Sequence, residues 1–159
     1  SAIYMAEIPE PVKRFLAGKR FAVAGVSHAG DVAANTVFKK LIASGYEAIP
    51  VNPNSAEVEG VKCYPDIASI PVPLDGVVIA THPRVSADIV RQSAQSGIKQ
   101  VWFHRSFGEG SVSPEAVALA RDLNVECIVG GCPLMFCEPV DIAHRCMKWL
   151  FQRTGNVPR

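Results

Sequence analysis

Three side chains with acid–base or nucleophilic capacity follow predicted strands in this chain of 159 residues: His82, His104 and Cys132. The carboxyl ends of parallel strands meet at one edge of a sheet, so we expect all three at that edge. A thiolate and an imidazole could activate each other there. No motif ties the nucleophile to a base, however, and cysteine is also a common small core residue. The pattern therefore favours packing over catalysis, and we predict no catalytic residue.

The candidate metal ligands in the sequence are Cys132, Cys137, His144 and Cys146, which are separated by four, six and one residues. Zinc sites usually have tighter, paired spacings. His144 and Cys146 lie two apart in a predicted helix and would point to different sides of it. We predict that the chain holds no metal.

The stretch 20–53 predicts the structural unit that would position a bound ligand or a reactive side chain. An apolar strand over 21–24 breaks at Gly25 into a polar turn, and a helix ending near Gly45 leads to a second strand that closes at 50–53. This order is typical of the opening βαβ unit of nucleotide-binding folds. Phosphates would bind the backbone N–H groups of the turn and of the helix start, where unpaired donors and the macrodipole favour negative charge.

Strands and helices alternate along the rest of the sequence. Apolar, β-branched runs predict strands, and runs with hydrophobic residues three and four apart that end at glycine predict helices. The alternation predicts an α/β fold, a doubly wound parallel sheet of five to six strands with helices on both faces. A short amphipathic helix over 9–16 is expected as a lid on the sheet edge. Strands are predicted at 21–24, 48–51, 61–63, 76–80, 100–103 and 125–129, and helices at 35–44, 83–96, 114–123 and from 138 or 139 to 151. The inward faces of the helices over 35–44 and 83–96 are predicted to carry Val37, Phe38, Leu41 and Ile42, and Val85, Ile89 and Val90.

Length and composition predict one globular domain over 1–159, with 1–8 and 154–159 expected to fray. Sixteen basic and 15 acidic side chains leave a net charge of +1, so neither nucleic acid nor an anionic membrane is expected as a partner. No apolar run approaches the roughly 20 residues that cross a bilayer, and the start lacks a signal-peptide pattern, which predicts a cytoplasmic protein. The cysteines are an odd number without close pairs, so we expect reduced thiols at Cys63, Cys127, Cys132, Cys137 and Cys146.

The turn from Gly25 to Gly30 also matches the G-x-G-x-x-G pattern of dinucleotide-binding folds, with Ser27 in place of the middle glycine. Two observations weigh against NAD or NADP. Ser27 has a side chain where a pyrophosphate should approach bare backbone, and the second strand ends in Asn52-Pro53 rather than in the acid that would bind a ribose hydroxyl. An NAD(P)-binding oxidoreductase or redox sensor stays open as the alternative class.

The same turn belongs to an ordered set of motifs spread over the chain. They are Gly25-Val26-Ser27, Asn35 at a helix start, Gly45-Tyr46, Pro50-Val51-Asn52-Pro53, Gly60 with Cys63-Tyr64, Ile70-Pro71, Gly97-Ile98 with Val101-Trp102, and Cys132-Pro133-Leu134-Met135. No single motif is decisive. Together, at matching intervals over about residues 12–155, they resemble the small single-domain CoA-binding proteins, which are similar in fold to the CoA-binding domain of the succinyl-CoA synthetase α subunit.

The resemblance implies a Rossmann-like domain that binds CoA or acyl-CoA with its phosphates at the first turn. Carried over by position, it assigns three groups of residues. They are Gly25, Val26, Ser27, His28 and Asn35 at the phosphates, Asn52 and Pro53 beside the adenosine, and Tyr64, Thr81, His82 and Pro83 along the pantetheine path.

The chain also departs from the pattern that the resemblance implies. Many relatives have a basic residue in the first loop, where this chain has Ala29-Gly30-Asp31, and the Asp31 carboxylate would repel phosphate unless it faces away or caps the helix. No P-loop or phosphohistidine ligase domain is recognisable, so we expect CoA binding without catalysis. Exchange of the CoA thiol with Cys132 is a further alternative. A homodimer or a protein partner is compatible with the pattern.

Overall fold

A computed structural model describes residues 8–30, 32–104 and 110–129. Its centre is a parallel sheet of five strands in the order β2-β1-β5-β6-β7, and a separate antiparallel hairpin pairs β3 with β4. The predicted fold class, a Rossmann-like doubly wound parallel sheet, is confirmed. The strands are β1 (Arg20–Ala24), β2 (Glu47–Val51), β3 (Glu57–Val58), β4 (Val61–Lys62), β5 (Gly76–Ile79), β6 (Gln100–Phe103) and β7 (Glu126–Val129).

Helices cover both faces of this sheet. One hydrophobic cluster joins the first two helices to one face, and a second cluster joins the other two helices and the segment 64–74 to the opposite face. The last four of the five residues of β1 and all four of β5 are buried, as expected for strands covered on both sides. The helices are α1 (Glu10–Leu16), α2 (Ala33–Ala43), α3 (Pro83–Gln95) and α4 (Pro114–Asp122).

Helix α1 lies on the middle of the sheet, and its predicted role as a lid on the sheet edge is therefore wrong. Phe15 is fully buried, stacks on Phe21 of β1 with 4.7 Å between ring centroids, and meets Trp102 of β6 edge-on at 5.5 Å. A Cβ atom at Gly76 of β5 would lie 2.7 Å from the Phe15 ring. Glycine at this position thus lets the ring reach the sheet.

Two hydrophobic residues that were predicted to face the core are partly exposed. The side chain of Ile42 on α2 is 44% exposed and that of Val85 on α3 is 41% exposed, whereas their helix neighbours at the core positions are buried. A wide apolar stripe on a helix can exceed the width of the contact with the sheet, so its outer members reach the surface. Val85 instead borders the cavity described below.

The hairpin of β3 and β4 was only half predicted, because Glu57–Val58 has no long apolar run. Glu59 and Gly60 form its two-residue turn with φ angles of +52° and +74°. Two positive φ values are typical of the type I′ turn that matches strand twist. The turn directs the Glu59 side chain toward the start of α2.

The Asp75 carboxylate binds the backbone at the amino-terminal end of β1 and makes the stability of the fold sensitive to pH. Its carboxylate accepts hydrogen bonds from the backbone N–H groups of Lys19 (2.8 Å) and Arg20 (3.0 Å). These bonds hold the pKa of the Asp75 carboxyl below its usual value. A carboxylate with a lowered folded-state pKa stabilises the fold above its unfolded pKa, about 3.9, and loses this contribution as the pH falls through the folded pKa.

We expect Asp75→Asn to lower the free energy of unfolding by about 1 kcal/mol at neutral pH, a modest value because the side chain is largely exposed. The difference from the parent chain should shrink as the pH falls below about 4. Urea unfolding at both pH values measures it, with the exposed Asp122→Asn on α4 as control. A difference that is the same at acid and neutral pH would contradict the assignment.

Several predictions concern segments outside the described residues. These are the final helix from 138 or 139 to 151 and the expected fraying of 154–159 and of 1–7. Ile8, the remaining residue of the amino-terminal stretch that was expected to fray, packs against the core as a partly buried side chain. In the described ranges, none of the helices has the length and apolar character needed to cross a membrane.

Candidate functional site

A cavity of about 470 Å³ opens at the carboxyl ends of β1, β2 and β5. The chain leaves β1 for β2 on one side and then crosses to β5 on the other, so the strand order reverses between β1 and β5. Ligands of open α/β sheets bind at such a switch point. The lining residues are Ala24, Gly25, Val26, Ser27, Val51, Asn52, Pro53, Pro65, Ala80, Thr81, His82, Val85, Asp88, Ile89 and Gln92.

Gly25 allows two loops to meet at the floor of this cavity. Its φ angle is +107°, and a Cβ atom there would lie 2.3 Å from the backbone oxygen of Ala80. The Ala80 N–H donates to the carbonyl of Ala24 at 2.9 Å. The end of β5 is thus held against the first turn, and no other residue type fits between them.

The first turn, residues 25–30, is held by hydrogen bonds from three of its backbone N–H groups. The N–H of Ser27 donates to the Asn35 side chain (2.8 Å), that of Ala29 to the Ser27 hydroxyl (3.2 Å), and that of Gly30 to the Ser27 carbonyl (3.1 Å). Within the described part of the chain, the backbone N–H groups of Val26 and His28 have no hydrogen-bond partner. Helix α2 starts next to them without a side-chain cap from Val32.

Asn35 supports the turn from below. It is fully buried, its Oδ1 accepts the Ser27 N–H, and its Nδ2 donates to the Ser27 carbonyl at 2.7 Å and to Glu59 Oε1 at 3.0 Å. An amide that bonds both backbone groups of one residue fixes the conformation there, because both its donor and its acceptor are used. The polar atoms of Asn35 are thus engaged with protein atoms, and the expected direct contact of Asn35 with phosphate stays a prediction.

The β3–β4 hairpin completes this support. Glu59 Oε1 accepts from Asn35 and lies 3.8 Å from Lys39 Nζ of α2. The carboxylate would also meet a Cβ atom added at Gly30, 3.6 Å away. Residues 24 positions apart therefore act together, since the hairpin turn orients Glu59, Glu59 orients Asn35, and Asn35 holds Ser27.

We expect Asn35→Asp to lower the free energy of unfolding by about 2–3 kcal/mol and to weaken ligand binding at the turn. The substitution replaces a donor with an oxygen that would face the Ser27 carbonyl and the Glu59 carboxylate in a buried position. Urea unfolding and ligand titration measure the two effects. Asn54→Asp, at an exposed turn residue, is the matched control and should change little. Equal stability of the two variants would show that the Asn35 contacts are not needed.

Asn52 and Pro53 form the second wall, at the end of β2. Asn52 Nδ2 donates to the Val26 carbonyl at 2.7 Å, and its Oδ1 accepts the N–H of Asn54 at 2.7 Å. The first bond ties the end of β2 to the first turn, and the second closes a local turn at Pro53. Both residues line the cavity.

Helix α3 supplies the opposite wall through one stripe at three- and four-residue spacing. Gln92 accepts the N–H of Ile67 (3.0 Å) and donates to Asp88 (2.8 Å), so it ties the segment after β4 to the helix. Asp88 also lies 3.4 Å from Arg91. The stripe presents alternating apolar and polar groups to the cavity: Val85, Asp88, Ile89 and Gln92.

The β5–α3 connection contributes Thr81 and His82. His82 is the N-cap residue of α3, and its Nδ1 accepts the backbone N–H of Arg84 at 3.3 Å. Pro83 follows at the first helical position, which suits its missing N–H. The Thr81 hydroxyl lies 3.0 Å from the Ser86 hydroxyl.

Of the residues that the resemblance assigned to the ligand, one set lines the cavity and another does not. His28 is exposed near Ser55, with 3.4 Å between its Nδ1 and the Ser55 hydroxyl, and the ring of Tyr64 lies under Lys62 Nζ, 5.1 Å away. The assigned residues in the lining are Gly25, Val26, Ser27, Asn52, Pro53, Thr81 and His82, and those outside it are His28, Asn35, Tyr64 and Pro83.

The sequence analysis did not identify the α3 residues that line the cavity, although their pattern could have indicated them. Asp88 and Gln92 share the stripe of Val85 and Ile89, and polar residues on an otherwise apolar stripe at a sheet edge indicate a cavity rather than core. Pro65 was likewise missed, because the neighbouring Tyr64 matched the resemblance.

Neither of the two thiols in the described ranges, Cys63 and Cys127, lies in the cavity. Burial raises the pKa of the Cys63 thiol and of the Cys127 thiol, which disfavours the reactive thiolate. His104 is buried at the end of β6. In ranges 8–30, 32–104 and 110–129 no cluster of three possible metal ligands occurs. The thiol exchange at Cys132, the metal set Cys132, Cys137, His144 and Cys146, and the orientation of Asp31 all concern residues outside the described ranges.

The five-stranded order and the cavity at the switch point define the class as Rossmann-like α/β domains. Residues 19–138 match the family described as the CoA binding domain. Because that match covers more than half of the sequence, the chain belongs to this family.

Individual relatives agree with the family match. The uncharacterized protein YneT of Bacillus subtilis (strain 168) is 28% identical over 143 residues, which are 90% of this chain and 96% of YneT. The ADP-forming acetate–CoA ligase II of Archaeoglobus fulgidus is 32% identical over 83 residues, which are 51% of this chain and 12% of the ligase. The solved structure of a hypothetical protein from Pyrococcus horikoshii OT3 has a TM-score of 0.71 and 30% identity, over 78% of this chain and 84% of that one.

Proposed function

We propose that this chain binds CoA or an acyl-CoA and does not transform it. The observation that carries the proposal is a pair of N–H groups without a partner in the described part of the chain: that of Val26, which lines the switch-point cavity, and that of His28, two residues further along the same turn. Two amide donors beside the uncapped start of a helix suit a diphosphate, because donors and macrodipole both favour negative charge. Membership of the CoA-binding family supports CoA as its source.

The rest of the cavity suits the two ends of such a ligand. The wall of Asn52 and Pro53 would border the adenosine, and Thr81 and His82 would lie along the pantetheine arm. A cavity of about 470 Å³ falls within the usual range of small-molecule sites, about 300–1,000 Å³. The extended CoA molecule would lie across it and continue to the surface.

Binding without catalysis is the simplest function for these residues. A catalytic site needs a nucleophile or base within hydrogen-bond reach of a second group that activates it. Among the described lining residues, His82 Nδ1 accepts the N–H of Arg84 at the start of α3, and the Asp88 carboxylate accepts a hydrogen bond from Gln92. The ligase of Archaeoglobus fulgidus is much longer, and this chain matches 12% of it. We propose that the shared part holds CoA.

Isothermal titration of the purified chain with CoA, acetyl-CoA, NAD and NADP tests this function. We expect saturable binding of CoA or acetyl-CoA with one site per chain, and much weaker binding of both dinucleotides, since Asn52 rather than an acid follows β2. Tight binding of NAD or NADP without binding of either CoA form would overturn the proposal and favour the oxidoreductase class.

A further inference from the structure

A chain of hydroxyl groups runs from the cavity into the core beneath α3. Thr81 Oγ1 lies 3.0 Å from Ser86 Oγ, and Ser86 Oγ lies 2.6 Å from the Ser111 carbonyl oxygen. Ser111 in turn donates its hydroxyl to the Ile79 carbonyl at 2.6 Å. Ser86 and Ser111 are buried, whereas Thr81 lines the cavity.

The direction of every bond in this chain is fixed by the carbonyl at its inner end. A carbonyl oxygen can only accept, so the single proton of Ser86 Oγ points to Ser111. The other carbonyl within reach, that of His82 at 3.4 Å, would take the same proton. The proton between the two hydroxyls must then come from Thr81.

Thr81 Oγ1 consequently has no proton left for a ligand. Ser86 is its hydrogen-bond partner in the described ranges, and its remaining lone pairs are available on the cavity side. A hydroxyl normally adapts to either a donor or an acceptor. Here the hydrogen bond to Ser86 uses the only proton of Thr81 Oγ1, so this oxygen can only accept a hydrogen bond from a ligand.

Asp88 adds a second acceptor to the neighbouring wall. It is one of the cavity-lining residues of α3, and its carboxylate accepts a hydrogen bond from Gln92. The first turn, by contrast, offers the N–H groups of Val26 and His28. The cavity thus has a donor side near β1, and Thr81 and Asp88 provide acceptors near α3.

We propose that Thr81 Oγ1 is an acceptor-only contact that selects an N–H or O–H donor in the part of the ligand that lies along α3. This inference rests on the proposed function. For CoA, the donor is an amide N–H of the pantetheine arm, because the anionic phosphates occupy the donor side. A ligand with a carboxylate or phosphate facing Thr81 Oγ1 is disfavoured, since two acceptors would then meet without a proton between them.

The test compares CoA with 3′,5′-ADP, which lacks the pantetheine arm and the phosphate attached to it, by isothermal titration. Thr81→Val keeps the shape of the side chain and removes the acceptor, so we expect about fivefold to tenfold weaker CoA binding and unchanged binding of 3′,5′-ADP. Thr81→Ser keeps the hydroxyl and should bind CoA like the parent chain. Ser93→Ala removes a buried α3 hydroxyl that bonds the Ile89 carbonyl, and it is the control for helix packing.

CoA analogues with an ester in place of one pantetheine amide complete the comparison. One analogue should lose affinity for the parent chain and none for Thr81→Val, which assigns the contact to that amide. Unchanged CoA binding by Thr81→Val, or an equal loss of CoA and 3′,5′-ADP binding, would overturn the inference and leave the proposed function intact. A parent chain that binds neither ligand would overturn the proposed function, and the inference with it.

Discussion

Replacing Gly25 by alanine is expected to lower the free energy of unfolding by about 3 kcal/mol and to weaken CoA binding about a hundredfold. The added Cβ atom would lie 2.3 Å from the Ala80 carbonyl oxygen, and the φ angle of +107° is strained for any residue with a side chain. Because backbone atoms are struck, relief requires the first turn and the end of β5 to separate. That movement displaces the N–H groups of Val26 and His28, and two hydrogen bonds to a charged ligand are lost.

Gly45→Ala separates the two causes of this effect. Gly45 also has a positive φ angle, +92°, but a Cβ atom added there would meet nothing within 4 Å. We expect it to cost only the backbone strain, about 1–2 kcal/mol, with normal CoA binding. Urea unfolding and CoA titration of both variants provide the comparison. Equal effects on both measurements would mean that the close approach to Ala80 has no special role.

Phe15→Ala is expected to lower the free energy of unfolding by about 3–5 kcal/mol, in the range of buried aromatic truncations. The ring is fully buried between α1 and the sheet and contacts the rings of Phe21 and Trp102. Its removal leaves a cavity over the centre of the sheet, because the glycine at position 76 offers no side chain to fill the space. Urea unfolding followed by tryptophan fluorescence measures the change.

Ile42→Ala is the matched control for this variant. The sequence predicted Ile42 to face the core, and in the structure its side chain is 44% exposed. We expect a loss below about 1 kcal/mol, since most of its apolar surface is already in water. A small effect of Phe15→Ala, similar to that of Ile42→Ala, would support the original prediction that α1 is a lid at the edge.

The parallel sheet was predictable because its signals are local. Each buried strand is a short apolar run, and each helix ends near a glycine or starts at a recognisable residue such as Ser113, whose hydroxyl accepts the N–H of Ala116. The turn at Gly25 followed from the same local patterns, and the assignment of Asn52 and Pro53 followed from the resemblance. These residues line the cavity, and their contact with a ligand stays a prediction.

The rest of the site depends on contacts between distant residues, which a single sequence does not contain. Asn35 was expected to contact phosphate, yet its amide bonds Ser27 and Glu59, and the latter pairing exists only because a hairpin turns back over the first loop. The polarity of Thr81 depends on Ser86 and on a carbonyl 30 residues further along, at Ser111. Such networks become visible only when packing brings their members together.

A crystal structure of this chain with CoA tests the central claim most directly. We expect the diphosphate to lie at the first turn, with its oxygens within about 3 Å of the N–H groups of Val26 and His28, and the pantetheine arm to pass Thr81. A crystal soaked or grown with CoA in which the first turn is empty, or in which the nucleotide lies elsewhere on the surface, would contradict the account.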